Sequence, residues 1–424
     1  MTTGRVRRCG WLAAVLAVLV AAGCAPREPV EVIETREAMN TLVTVRAVAV
    51  SDSAARRALD AAWKEMDEGI ARLDRHRGPS DAWAKGDPEA RKDPAQRPSD
   101  IWLVNRDAGR FTIEVDPLVT SCLSAAREVY DMTDGAFDPT VGPILELWRK
   151  AQERNQLPTE EELSAARALV GMDAVQILAF MAQKPLSDLE PLPPRGGPTP
   201  KPEDLVKPMH LVGLDKEGMA LDLGGIAKGY IVGRMAQRMV QSGVLAALVD
   251  AGGDVYAEGQ RPLNLVAPGG DRRWGVGIQD PRYPEDRTRL FTAVHVCDQA
   301  VVTSGHYARG YTVEGRRFSH IVDPRTGRPV DTRLASVTVV APDAAMADGL
   351  ATAIAVLGVE KGMALVEKTD GVECLLLELA ETPDDGAEPP ALITHRSSGF
   401  AALEFDPSAT GGPLHPGVRP APRR

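Results

Sequence analysis

From Ala54 to Leu73 the apolar residues Leu59, Trp63, Met66, Ile70 and Leu73 recur at steps of three and four. That spacing puts them on one face and predicts an amphipathic helix. A second helix is predicted over "VDPLVTSCLSAAREVYDMTDG", with Asp116 as N-cap, Pro117 in the first turn and a stop near Gly135. A third is "PTEEELSAARALVG", where Thr159 and Glu162 have capping-box spacing and Gly171 ends the run. "IAKGYIVGRMAQRMVQSG" and "DAAMADGLATAIAVLG" complete the helical set. Apolar runs of strand length fall at "TLVTVRAVAV", "MALDL", "VLAALVD", "WGVGIQ", "FTAVHVC", "AVVTS" and "SVTVVA". "GYTVEGRRFSHIV" reads as a hairpin with Glu314–Gly315 at its tip, and "GFAALEF" as a closing strand. Strands and helices do not alternate strictly, which predicts a mixed α+β fold rather than a doubly wound parallel sheet.

Between these elements lie stretches without periodicity. Residues 77–99 and 183–208 are rich in Pro and charged residues and read as inserted loops. Residues 406–424 form a Pro/Gly-rich tail. At the other end, Arg5, Arg7 and Arg8 precede an apolar run from Trp11 to Ala22 that closes in Gly23–Cys24. The run is shorter than the ~18 residues a membrane span needs. It reads as a secretory signal over 1–23. Cys24 after Ala-Ala-Gly resembles a lipidation site, with a plain signal peptide and an incidental Cys as the alternative. Residues 24–38 then read as a membrane-proximal spacer, and 39–405 as the functional domain.

The formal net charge is -10, and aromatic residues make up 4% of the chain. An acidic, aromatic-poor chain lacks the basic footprint of a nucleic-acid binder. Cys122, Cys297 and Cys374 are far apart, odd in number and without zinc spacing. Cys122 and Cys374 sit in apolar stretches and read as core.

Within "DAAMADGLATAIAVLG" the only polar side chains from Ala344 to Leu357 are Asp348 and Thr352. A helix apolar nearly all round is buried. Residues four apart share a face, so these two oxygens form half of a site for a hard cation such as Mg²⁺. Alternatively, Asp348 pairs with an arginine and Thr352 bonds back to a helix carbonyl. In "LDLGGIAKGY", Asp222, two glycines and Lys228 open a helix. Bare amides and a point charge there suit a phosphate, or the turn serves helix packing. "TDGAFDPTVGP" is a rigid loop in which Phe137 could pack on a ring, or an ordinary Asp-Pro turn. Thr303, Ser304 and His306 cluster at a strand end. "SHIVDPRTGRPV" gathers His320, Asp323, Arg325 and Arg328 at one turn.

"TDGAFDPTVGPILELW", "DLGGIAKGY", "DAGGDVYAEG", "VVTSGHYARGYTVEGRRFSHIVDPRTGRPV" and "ADGLATAIAVLG" occur in that order. In these segments the chain closely resembles the ApbE family of periplasmic FAD:protein FMN transferases, over roughly Thr35 to Phe405 apart from the insertions. The resemblance implies a T-fold-like α+β core binding FAD as substrate and Mg²⁺. It implies transfer of FMN to a threonine hydroxyl on an acceptor protein, a membrane redox subunit, with AMP released. It implies metal ligation by Asp348, Thr352 and the carbonyl of Gly225. It implies FAD contacts from Met39, Ala136, Phe137, Asp138, Asp222, Lys228 and Val322, with His320 as the base. A lipid anchor would place the protein on a membrane facing the periplasm or the cell exterior.

Two departures from the family pattern stand out. Met39-Asn40-Thr41 replaces Met-Gly-Thr, and Asp74-Arg75-His76 replaces Ser-Thr-Tyr. The second leaves Trp83 and Trp102 as candidates for the ring on the isoalloxazine. Phosphoryl transfer needs positioning and charge neutralisation. His320, with an unperturbed pKa near ~6.5, suits proton removal. Asp323 and Pro324 would fix the turn, and Arg325 and Arg328 are either functional or ion-pair residues. Two other readings use the same site: an FAD pyrophosphatase with water as acceptor, and an FAD-storing lipoprotein without chemistry.

Overall fold

In the computed structural model, residues 28–93, 95–183, 205–305, 310–380 and 390–406 are described. Cys24, His306 and most of the second insertion lie outside them.

Alternation sets the architecture. Along Thr41–Ala49, Val43, Val45, Ala47 and Ala49 enter one core, whereas Val48 enters another. A strand that is apolar on both faces must be covered on both. The main sheet has eight strands: β1 (Val30–Ala38), β2 (Thr41–Ala49), β3 (Ala246–Ala251), β4 (Asp254–Glu258), β5 (Gln299–Gly305), β6 (Leu334–Ala341), β7 (Glu373–Leu379) and β8 (Leu392–Arg396). Every neighbouring pair is antiparallel, and spatial order follows chain order. The intervening chain is spliced into a meander without disturbing its sequence.

Helices cover one face. The longer helices are α1 (Asp52–Leu73), α2 (Pro117–Met132), α3 (Gly142–Arg154), which packs apart from the sheet, α4 (Ala227–Gln241) and α5 (Ala344–Val366). α1, α2, α4 and α5 share the larger core with the sheet. The opposite face is covered by a three-stranded sheet, Trp274–Gln279, Leu290–Val296 and Glu404–Phe405, around Trp274 and Phe400. A small third cluster joins Ile144 and Trp148 of α3 to Ala166 and Val322. Glu314 (φ 51°) and Gly315 (φ 73°) turn the hairpin Gly310–Ser319 as expected. Cys122 and Cys374 are fully buried.

Four expectations are corrected. The spacer over 24–38 contains β1, which pairs along its whole length with β2. "MALDL" forms no strand; Ala220 makes one isolated bridge to Val141. The first insertion carries two short helices, Asp81–Ala84 and Pro88–Lys92, capped by Ser80 and Asp87. Caps nucleate turns where there is no apolar period. α5 runs past Gly358, which kinks it at φ 78° because glycine tolerates that backbone. By length and composition α5 could cross a membrane, but its first turns are packed in the core of the domain.

Candidate active site

A cleft of about 660 Å³ opens at the helix-covered face of the main sheet. Met39, Ala136, Phe137, Asp138, Asp222, Gly225, Lys228, His320, Val322, Asp348 and Thr352 all line it. Five separate segments bring them there.

The β1–β2 turn supplies Met39. Met39 (φ 51°) and Asn40 (φ 58°) both take the left-handed conformation of a two-residue hairpin turn. Asn is the non-glycine residue that tolerates it best, so Asn40 can replace glycine without altering the turn. The end of α2 supplies the second segment. Asp134 (φ 50°) and Gly135 (φ 70°) reverse the chain, and Thr133 Oγ1 accepts the Phe137 amide at 3.2 Å. Asp138 accepts the amide of Thr140 at 2.8 Å and its hydroxyl at 2.6 Å. Burial still raises its pKa, against those bonds.

The third segment is the loop into α4. Asn105 clamps Leu221, accepting its amide at 2.7 Å and donating to its carbonyl at 2.9 Å. The Asp222 amide donates to Pro139 O at 2.7 Å. Asp222 Oδ1 accepts the Gly224 amide at 2.7 Å, and Oδ2 lies 2.8 Å from Arg75 Nε. α4 has no side-chain cap of its own. Asp348 supplies one from α5: its Oδ2 accepts the Gly229 amide at 2.9 Å. That approach needs glycine, since a Cβ on Gly229 would stand 2.1 Å from Ala344 O. Lys228 Nζ pairs with the buried carboxylate of Asp254.

On α5, Thr352 Oγ1 stands 3.5 Å from Gly225 O, and Asp348 is 3% exposed. Burial pushes the Asp348 carboxyl up to about 7, opposed by the nearby Lys228 ammonium. Its Oδ1 has no protein partner among the described residues. The Asp348 carboxylate, the Thr352 hydroxyl and Gly225 thus line the same cleft. Their oxygens are all hard donors, fitting Mg²⁺ rather than a soft metal. Among the described residues no three His, Cys, Asp or Glu side chains cluster as a metal site, so any cation here would rely on one carboxylate and on substrate oxygens.

The fifth segment is the turn bearing His320 and Val322. Asp323 organises it, accepting the Arg325 amide at 2.9 Å through Oδ1 and the Gly327 amide at 2.8 Å through its carbonyl. Trp148 Nε1 donates to Gly327 O at 2.9 Å. Arg325 pairs with Asp323 in fork geometry, both bonds 2.9 Å, and Arg328 pairs with Glu160. Both arginines are ion-pair residues of the turn.

Trp83 and Trp102 do not line the cleft; Arg91 and Arg106 lie over their rings. The aromatic rings at the cleft are Phe137 and Tyr311, with the imidazoles of His76 and His320. Tyr311, Asp254, Arg75 and Arg287 were not identified from the sequence. Asp254 lay in the quoted "DAGGD", and its partnership with Lys228 spans the fold. Thr303 and Ser304 do line the cleft. Asp250, next to this wall, is pushed up to about 6 by burial.

The sequence model of the ApbE family matches residues 39–376. The FAD:protein FMN transferase of Treponema pallidum is 33% identical over 280 residues, 66% of this chain and 70% of that protein. The FAD:protein FMN transferase of Klebsiella pneumoniae is 29% identical over 281 residues, 66% of this chain and 75% of that protein. The apo flavinyl transferase ApbE of Pseudomonas stutzeri superposes with a TM-score of 0.62 at 26% identity, over 88% of this chain and 97% of that one. The ApbE protein of Thermotoga maritima gives 0.62 at 27%, over 89% and 100%.

Proposed function

The chain belongs to the ApbE family, and from that premise we infer that it transfers FMN from FAD to an acceptor protein. The observation that carries this reading is the convergence of the phosphate-type loop, the oxygen donor set and His320 on one cleft. Storage of FAD without chemistry would need neither a base nor a donor set.

We further propose the following division of labour. FAD lies in the cleft with its pyrophosphate beside Lys228 at the start of α4. Asp348, Thr352 and the Gly225 carbonyl hold Mg²⁺. When bound, the ion withdraws charge from the pyrophosphate oxygens. Lys228 is held beside the site by Asp254, so its ammonium is positioned before substrate arrives. Asp348 fixes the start of α4 through Gly229 and keeps its other oxygen toward the cleft. His320 removes the proton from the acceptor's hydroxyl, which we take to be a threonine's. That oxygen forms a bond to the FMN phosphorus as the bond to the AMP oxygen breaks.

Incubating the protein with FAD, Mg²⁺ and a threonine-bearing acceptor peptide, then weighing the peptide, tests this. A mass gain equal to an FMN residue with AMP release is expected. FMN and AMP with an unmodified peptide would make the protein a pyrophosphatase. Intact FAD would leave only binding. We also propose that Cys24 carries lipid and holds the protein on a membrane facing the periplasm or cell exterior. A processed Cys24→Ser variant should then move to the soluble fraction; retention on membranes would refute the anchor.

A further inference from the structure

Arg75 sits at the cleft wall with part of its hydrogen-bonding capacity unused. Its backbone is pinned on both sides. Asp74 Oδ1 accepts the His76 amide at 2.8 Å, Ser99 Oγ donates to Asp74 O at 2.6 Å, and the Ser99 amide donates to Arg77 O at 2.9 Å. The side chain is 18% exposed, and its Nε lies 2.8 Å from Asp222 Oδ2. Nε donates to His76 Nε2 at 3.2 Å. Asp222 is itself fixed by the Gly224 amide. So a carboxylate held by backbone and the neighbouring imidazole together aim the guanidinium. Neither terminal nitrogen of Arg75 has a protein partner among the described residues.

A mostly buried guanidinium normally has its donors matched. Here the donors left over belong to a fork that suits phosphate oxygens. The fork adjoins the Asp222–Gly225 loop, where the cleft also gathers Lys228. Lys228 is already engaged by Asp254, and Arg287, another arginine of the cleft, is exposed. Among the described residues next to this loop, Arg75 is a mostly buried cation with donors to spare.

We propose that Arg75 determines ligand specificity in the cleft by donating from its terminal nitrogens to a phosphate oxygen, so that the site selects phosphorylated flavins over the bare ring system. This deepens the flavin reading above and rests on it. Asp222 then helps to orient Arg75 together with His76, rather than being only a ligand contact.

The test is equilibrium binding of FAD, FMN and riboflavin to the full chain, followed by flavin fluorescence, in the parent and in Arg75→Ala and Arg75→Lys. Losing a charge-assisted bond of this kind costs roughly 10- to 100-fold in affinity. Arg75→Ala should lose that much for FAD and FMN and nothing for riboflavin. Arg75→Lys should recover part of it, because an ammonium restores the charge without the fork. If Arg75→Ala fails to fold, Arg75→Gln is read in its place. Unchanged FAD affinity overturns the proposal. So does an equal loss for all three flavins, which would make Arg75 a support for the loop. A parent that binds no flavin overturns the flavin reading itself, and the proposal with it. A parent that binds FAD and a variant that binds it equally well overturn the proposal alone.

Discussion

Helix α5 and the turn Ser319–Val330 face the same cleft and are held there by opposite means. On α5, Asp348 is surrounded by Ala347, Leu350, Ala351 and Ile354, all fully buried. Packing dominates the position of its backbone, with the Asp343 cap on the Met346 amide beside it. The turn rests on a small cluster and is fixed mainly by polar bonds: Asp323 to its own loop, Trp148 to Gly327 O, Arg328 to Glu160. A group that must hold charge against substrate gains most where water is excluded, since its interactions are strongest there. A group that must exchange a proton with an arriving protein has to sit near the surface. The two supports match the two tasks.

The comparison predicts that activity and stability separate on α5. Asp348→Ala should abolish Mg²⁺-dependent FAD cleavage. It also removes the cap on the Gly229 amide, worth about 1 kcal/mol, and relieves the burial of a carboxylate, which acts in the opposite sense. Net stability should therefore move by only about 1 kcal/mol, read as a thermal midpoint within a few degrees of the parent. Collapse of the fold in this variant would show that Asp348 is structural. Full activity would place the metal elsewhere.

On the turn, His320→Ala should lower single-turnover transfer by about 10²- to 10⁴-fold, the usual share of general-base catalysis. FAD affinity, titrated separately, should stay near the parent value. In the parent, the rate should fall at acid pH, because a protonated imidazole cannot accept the hydroxyl proton. An unchanged rate removes His320 from the mechanism. Weak FAD binding with normal turnover at saturation makes it a binding residue.

The two regions also differ in how far the sequence revealed them. Asp348 and Thr352 were legible because a polar pair in an apolar helix breaks its surroundings, and their spacing alone puts them on one face. The turn was legible as a knot of chemistry, but its supports were not. Trp148 lies 179 residues from Gly327 in sequence, and no local pattern marks such a bond. α3, which carries Trp148, was itself not anticipated. Its polar and apolar residues mix after the Asp-Pro loop, and its N-terminus has no side-chain cap. The meander was partly legible: β2, β3, β5 and β6 had strand patterns, β4, β7 and β8 were not anticipated, and β1, an edge strand with exposed positions, read as a spacer. Tyr311 and Arg75 escaped for the same reason as Trp148, since their partners come from distant segments.

A smaller effect sharpens the account of those polar supports. Trp148→Phe keeps an aromatic ring against Tyr311 and Phe318, whose centroids lie 6.2 and 5.2 Å away. It deletes the donor to a buried carbonyl, which costs about 1–3 kcal/mol. Stability and transfer should fall together here, unlike on α5. A variant as stable as the parent would mean that packing, not the indole bond, holds the turn.

The smallest expected effect is at Arg325. Its side chain is 39% exposed against 17% for Asp323, so the guanidinium half of the fork is open to water. Exposed pairs of this kind contribute about 0.2–1 kcal/mol and weaken with salt. Arg325→Ala leaves the bond from the Arg325 amide to Asp323 Oδ1, because that donor is backbone. The turn should therefore keep its shape, and transfer should proceed at the parent rate. Asp323→Ala removes the acceptor for both the side chain and the amide, so it should cost more stability than Arg325→Ala. Unfolding both variants in denaturant at low and high salt separates the two contributions. The deficit of Arg325→Ala should vanish at high salt while that of Asp323→Ala persists. If both deficits vanish, the ion pair rather than the backbone bond sets the turn. If Arg325→Ala slows transfer at full stability, the guanidinium touches the substrate after all, and the turn contributes more chemistry than its imidazole.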